Sequence, residues 1–335
     1  TIQYHDNDSY MPGVKLKRTY GINEELNVDL NIGSETGKAY WQISGWRRYL
    51  HSGLRKYDYH LYDLGGVRGF KISTSNALNP TSPTTLTVGL SATDAFDIKR
   101  TNLFDKGLTS VVSFNLSDRR LPDGSMMIDF SPAGISDWSF TRLTMEQKFE
   151  RKIKLFGFRD RSFLGWIWSD SKGVPAQERF TVEGAGSAAM LQKGYLRDVS
   201  SFYGNYDLRN QYHLPGDANL RAFANQGFVG VEKIFSNNFE AFIHKRFGPI
   251  SIEFASFIDY GILSSNPIHV KDLKDPNDHL FNNTALMDYG VGLRLSTNVF
   301  GQPLYLRIDK PIDATIDGKS LKDINEWVFS FQKAI

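Results

Sequence analysis

The sequence predicts an all-β chain folded as a transmembrane antiparallel up-and-down β-barrel of about 16 strands. Three observations predict it. Apolar residues recur with period two along runs of about 8 to 12 residues closed by Gly, Asn, Asp, Pro or Ser. Tight joints alternate with long polar connections along the chain. No segment has the roughly 18 to 20 consecutive apolar residues that a membrane helix needs.

From about Val14 onward the runs follow one another at 25–33, 38–46, 85–92, 108–117, 125–132, 140–149, 161–170, 249–261, 289–299, 303–312 and 327–335. The clearest is Pro249 to Gly261. There Ile250, Ile252, Phe254, Ile258 and Tyr260 fall on one face, interrupted by Ser256, while Ser251, Glu253, Ala255, Phe257 and Asp259 fall on the other. In the run at 289–299, Tyr289, Val291, Leu293 and Leu295 oppose Gly290, Gly292, Arg294 and Ser296; in the run at 303–312, Leu304, Leu306 and Ile308 oppose Tyr305, Arg307 and Asp309. A formal charge on the inner face is rarely tolerated unpaired in a packed soluble core, because desolvation costs several kcal/mol per ion. A watery or networked lumen tolerates it. The competing reading is a soluble β-sandwich whose charged faces are its solvent faces. Strand length separates the two, since a tilted strand crossing a bilayer needs about 9 to 11 residues against about 5 to 6 in soluble sheets.

Tight joints at Gly248-Pro249 and Gly301-Gln302 contrast with polar stretches at Ser171–Pro175, Ser264–Thr284 and Asp313–Glu326. No linker rich in Pro, Gly or Ser divides the 335 residues, so residues 1–335 are expected to form a single barrel domain. The chain begins Thr1-Ile2-Gln3 without an initiator Met or a basic-then-apolar leader, as a mature form or a fragment would.

Composition is compatible with this class and argues against others. Only 41% of residues are hydrophobic and mean hydropathy is −0.35, as strands alternating lipid-facing and lumen-facing residues would give. Aromatic residues reach 13%, and such residues favour strands and gather at bilayer interfaces. With 39 basic and 37 acidic residues there is no positive excess to attract nucleic acid. The absence of cysteine removes disulfides, thiolate metal sites and cysteine nucleophiles.

An ordered set of motifs in the last third of the chain carries a family resemblance. Leu220-Arg221-Ala222-Phe223 looks like the V-R-G-F/Y motif at the tip of the sixth extracellular loop of Omp85 superfamily barrels, the bacterial surface antigen D15 type. Asn238-Phe239-Glu240 looks like the start of the next strand, and Phe257-Ile258-Asp259-Tyr260-Gly261 matches the family's F-x-D-x-G strand motif. Gln177-Glu178-Arg179-Phe180 followed by Gly184-Ala185-Gly186 resembles the family's segment before that loop. The resemblance implies a loop at about 200–226 folded into the lumen, with Arg221 meeting Asp259 and Glu240. A confined guanidinium needs charge-assisted, preferably bidentate partners, and inward carboxylates supply them. Ala222 stands where the family has glycine, which would strain the loop if that backbone required positive φ. The literal Val67-Arg68-Gly69-Phe70 reads instead as an ordinary strand after the Gly65-Gly66 turn, since no F-x-D-x-G strand follows at the right distance. At the C-terminus Trp327, Phe329, Phe331 and Ile335 share one face, interrupted by Lys333, as in the last strand of an outer-membrane barrel.

No catalytic chemistry is expected. The histidines at 5, 51, 60, 213, 244, 269 and 279 have no metal-binding spacing, and no nucleophile elbow, Walker loop or dinucleotide fingerprint occurs in the required context. Asp272, Asp275, Asn277 and Asp278 lack the EF-hand pattern and read as solvated loop acids. No cofactor and no metal are expected. The resemblance implies a barrel in the bacterial outer membrane, contacting its lipid and lipopolysaccharide together with periplasmic or outer-membrane protein partners, and active in protein insertion or translocation. Two alternatives stand beside it: a barrel anchoring a periplasmic enzyme domain or partner, and a soluble all-β binding protein.

Overall fold

The structure is a computed structural model that describes residues 2–5, 9–21, 23–49, 55–78, 83–97, 105–120, 123–182, 216–223, 230–264, 284–299, 302–321 and 327–330. Its strands join in one sheet whose described ladders are antiparallel, almost all between strands consecutive in the chain. Two compact units divide the chain.

The first unit is built on Thr1–Thr144 and Ile167–Glu178. It holds β1 (Ile2–His5), β2 (Ser9–Tyr20), β3 (Glu24–Ile32), β4 (Ala39–Tyr49), β5 (Arg55–Asp63), β6 (Val67–Ala77), β7 (Thr84–Ala95), β8 (Gly107–Asp118), β9 (Asp123–Ser131) and the start of β10 (Phe140–Ile153). Alternation decides its faces. Val14 and Leu16 are both 61% exposed, and Leu30, Ile32, Leu61, Phe70 and Ile72 share their outward side, while Asp29, Asn31, Gln42 and Tyr62 are buried on the other. Arg68 lies within β6 and pairs with Asp94 of β7 at 2.9 Å, as a strand residue rather than a loop tip.

The second unit is built on Met145–Trp166, Arg179–Ala185 and Val199–Ile335. It holds the rest of β10, most of β11 (Phe156–Ser169), then β12 (Lys233–Phe247), β13 (Ile250–Ser264), β14 (Thr284–Val299), β15 (Gln302–Ile316), β16 (Lys319–Ser320) and β17 (Val328–Ser330). Both β16 and β17 pair with β15, so they are two pieces of one course, and the segments amount to 16 up-and-down strands. Its strands are long enough to cross a bilayer at a tilt, β12 and β13 having 15 residues each. Gly248, at φ 58, makes the tight joint between them, and the following Pro249 has no N–H to leave unpaired.

Connections after even-numbered strands are all short, at 21–23, 50–54, 78–83, 119–122, 154–155, 248–249 and 300–301, whereas those after odd-numbered strands vary from 6–8, 64–66 and 317–318 to the long 96–106, 132–139, 170–232 and 265–283. We call these the turn end and the loop end. Among the described residues no helix is long and apolar enough to cross a membrane.

Two sequence expectations are corrected in their bounds, and one strand was not foreseen. Asn238-Phe239-Glu240 lies in the middle of β12, which starts at Lys233, because Lys233 and Ile234 already pair with Ser264 and Leu263. Asp313–Ile316 continues β15 rather than opening a loop, since β15 turns at Asp317 (φ 49) and Gly318 (φ 76) and pairs back with β16. Strand β5 was hidden by its composition: Lys56, Asp58 and His60 alternate with Tyr57, Tyr59 and Leu61, so its apolar face is mostly aromatic and its polar face is charged.

Candidate functional site: a buried guanidinium cluster

The buried face of the second unit carries charge in every strand from β11 to β15. Parity places Arg159 and Arg161 of β11, Asn238 and Glu240 of β12, Glu253, Phe257, Asp259 and Gly261 of β13, Asp288 and Arg294 of β14, and Arg307 and Asp309 of β15 on that side. Glu240, Asp259 and Asp288 are completely buried. Ions in such surroundings persist only when paired and hydrogen-bonded.

The partner they meet is a short 3-10 turn, Arg221–Phe223, that packs against β14 and β15. Leu220, Arg221, Ala222 and Phe223 are all buried. The Arg221 guanidinium lies 2.9 Å from both Asp259 and Glu240 and 3.9 Å from Asp309. Its flat face rests on the Phe257 ring, 3.8 Å from the centroid, a stacking geometry that a lysine could not reproduce. Phe257 in turn lies against Gly290 of β14, where a Cβ would come within 2.5 Å of the ring. Two residues beyond Asp259, Gly261 leaves room for Leu220, whose Cδ1 would stand 2.7 Å from any Cβ at that position. Phe257, Asp259 and Gly261 therefore face the same turn at successive inward positions, the first stacking, the second pairing and the third making space.

Backbone contacts hold the turn from several sides. The Ala222 amide donates to Asp288 at 3.2 Å, and the Asn238 side-chain amide donates to the Asn219 carbonyl at 3.0 Å. Arg161 donates to the Asp217 carbonyl at 2.7 Å while also pairing with Glu146 at 2.7 Å. The left-handed residue is Asn219, at φ 53, a side chain that tolerates this region. Ala222 has no positive φ, so alanine at the family's glycine position carries no backbone strain here.

Residues that the sequence did not single out as partners complete the cluster. Glu240 is approached by four guanidiniums: Arg221, Arg294 in direct contact, and Arg159 and Arg307, each at 3.6 Å. Arg159 also reaches Glu253 at 2.6 Å and Glu150 at 2.9 Å, and Arg307 contacts Asp309 directly. Arg294 and Arg307 are cross-strand neighbours, a like-charge pair that would be destabilising without the carboxylate between them. Their inward parity was legible in sequence, but the convergence of β11, β14 and β15 on Glu240 was not.

The base of the loop is also fastened. Thr181 and Asp217 exchange hydrogen bonds, the Thr181 amide donating to Asp217 at 2.8 Å and the Asp217 amide donating to the Thr181 hydroxyl at 3.0 Å. Phe180 and Val231 form an antiparallel bridge, and the Phe180 ring packs edge-on against Phe163. In the first unit Glu178 pairs with Arg142 at 2.9 Å, and Arg142 pairs with Asp129 at 2.5 Å. Burial pushes the Glu178 carboxyl above its ordinary range, against the pull of Arg142. Gly184, Ala185 and Gly186 lie outside the described residues.

Of the C-terminal residues, Trp327 is exposed and Phe329 stands opposite Ile308 on the outward side. Phe331, Lys333 and Ile335 lie outside the described residues, as do Asp272, Asp275, Asn277 and Asp278. Among the described residues no group of three or more His, Asp or Glu side chains is placed to hold a metal ion.

No family model and no curated protein matches the chain. Solved structures do. BamA from Haemophilus ducreyi, in a crystal structure lacking POTRA domains 1-3, aligns with a TM-score of 0.51 at 12% identity, over 98% of this chain and 68% of that one. CdiB from Escherichia coli aligns with a TM-score of 0.52 at 13% identity, over 98% of this chain and 60% of that one. This chain thus shares the fold of BamA and CdiB and spans roughly two thirds of the length of these structures.

Proposed function

We propose, from the fold shared with BamA and CdiB, that the chain is a single barrel domain of the bacterial outer membrane that takes part in inserting or translocating proteins. The observation that carries this reading is the Leu220–Phe223 turn held against the buried faces of β12–β15 through Arg221. A turn within the connection after β11 that is tied to the strand wall keeps that wall in one arrangement. The same ties supply ion pairs that need not be made by water, so the interior face can stay charged and still be ordered. Its outer face, rich in Ile, Phe, Tyr and Val, suits hydrocarbon, and lipid with its lipopolysaccharide leaflet is the surrounding it would contact.

The test uses the chain reconstituted in phospholipid vesicles. Membrane residence is read by resistance to carbonate extraction and by heat-modifiable mobility on gels. Activity is read as the rate at which a urea-unfolded eight-stranded barrel folds into the same vesicles. The expected result is carbonate resistance together with acceleration that Arg221→Ala removes. Full extraction without detergent would overturn the barrel in a membrane. Insertion with no acceleration would overturn the insertion role and favour a barrel that anchors an attached enzyme domain or partner.

A further inference from the structure

Along β2–β5 the outward face of the first unit changes character toward the turn end. Its middle is apolar, with Val14, Leu16, Leu30 and Leu61 exposed. At the turn end the same parity brings Arg18 and Tyr20 of β2, Glu24 of β3, Arg47 and Tyr49 of β4, and Arg55, Tyr57 and Tyr59 of β5 to the outside. The register interleaves them: Arg47 stands opposite Tyr57, and Tyr49 stands opposite Arg55. Arg47 and Arg55 are therefore diagonal neighbours, about 7 to 8 Å apart along the sheet and within converging reach of one small anion.

The rings hold the guanidiniums at the surface. Arg18 lies over Tyr20 at 4.2 Å and Arg47 over Tyr49 at 4.9 Å, while Tyr49 and Tyr57 meet edge to face at 5.5 Å. One carboxylate shares the patch, Glu24, 3.7 Å from the Arg47 Nε. Three guanidiniums thus face one carboxylate. On the opposite face of the same strand ends Arg48 and Lys56 are cross-strand neighbours, with Lys56 held by Asp58 at 2.5 Å. The loop end of the same outward face differs: Arg68 is paired with Asp94 at 2.9 Å, and Asp63 is its cross-strand neighbour. Acid outnumbers base there, and base outnumbers acid at the turn end.

We propose that the turn end of β2–β5 binds the phosphate of an anionic phospholipid, with Arg47 and Arg55 chelating it, Arg18 adding charge and the tyrosines seated at the headgroup level. Planar guanidiniums match phosphate oxygens in paired hydrogen bonds, and tyrosines mark the boundary between hydrocarbon and water. A zwitterionic headgroup offers the same phosphate but cancels its charge, so net negative lipid is the class selected. The inference rests on the outer-membrane barrel reading above, in which short turns face the periplasm and the occupant belongs to the periplasmic leaflet.

The experiment folds the chain in phosphatidylcholine vesicles, extracts it in neutral detergent, and exposes it to equal amounts of phosphatidylglycerol and phosphatidylcholine before native mass spectrometry. The wild type is expected to retain phosphatidylglycerol about fivefold or more over phosphatidylcholine. The Arg47→Gln/Arg55→Gln variant is expected to lose that preference with unchanged heat-modifiable mobility, while Arg68→Gln keeps it. Equal retention of both lipids by the wild type, or an undiminished preference in the double variant, overturns the site. Failure of the wild type to insert into phosphatidylcholine vesicles at all overturns the barrel reading on which it stands.

Discussion

In the second unit Glu240 is wholly buried and surrounded by Arg159, Arg221, Arg294 and Arg307, whereas in the first unit Lys17 reaches Glu25 at 3.2 Å with its own side chain 55% exposed. Lys15 and Asp29 repeat the second pattern, the lysine 48% exposed and 3.5 Å away. Both regions are made of alternating strands with charge gathered on one face. The difference is what lies over the charges: the Leu220–Phe223 turn packs on the strands around Glu240, while the Lys15 and Lys17 side chains stay about half exposed. Where Leu220–Phe223 covers the strands, water is replaced by side chains, and ion pairs that would otherwise be weak and screened become obligatory. Where the strands stay open, each pair is worth about 0 to 1 kcal/mol.

This contrast orders the effects of substitution. Glu240→Ala is expected to be the most damaging, because it strands several buried guanidiniums at once, and its cost should be about 3 to 5 kcal/mol. Denaturant unfolding in detergent, followed by loss of heat-modifiable mobility, measures it; a loss below about 1 kcal/mol would show that the cluster is more hydrated than its burial indicates. Next come Arg221→Ala and Asp259→Ala, with a double variant no worse than either single change. Their coupling should be about 1 to 3 kcal/mol, and simple additivity would argue against direct pairing. Gly261→Ala is milder, at about 1 kcal/mol, because only the end of the Leu220 side chain must move. Faster protease cleavage of the 170–232 connection is its readout, and unchanged cleavage would separate the Leu220 contact from loop docking. Smallest is Lys17→Ala in the first unit, below about 1 kcal/mol and vanishing in high salt. A large, salt-independent loss there would erase the distinction between the two regions.

Much of the fold was legible because period two is a local property. The inward parity of Phe257 and Asp259, and of Arg294, Arg307 and Asp309, could be read strand by strand. What no strand reveals alone is how β12, β14 and β15 align, since their registers are set across the connections at 248–249, 265–283 and 300–301. Hence Arg221 and Asp259 could be linked through a family resemblance, but Arg294 and Arg307 had no assigned partner. The stacking of Arg221 on Phe257 and the space above Gly261 were likewise hidden, because they depend on where the turn lands. Strand β5 escaped notice for another reason. Its outward residues are mostly tyrosines and an arginine, a composition that signals an interface rather than a hydrocarbon span.

The hydrogen-bonded pair of Thr181 and Asp217 has a practical corollary. It brings together two points of the chain that 35 residues separate in sequence. Length added between two points so joined raises the entropic cost of closure only logarithmically. A foreign peptide spliced there would then ride on the protein as a passenger, its attachment point fixed, and the stretch 183–215 becomes the natural place to carry an epitope or a fluorophore.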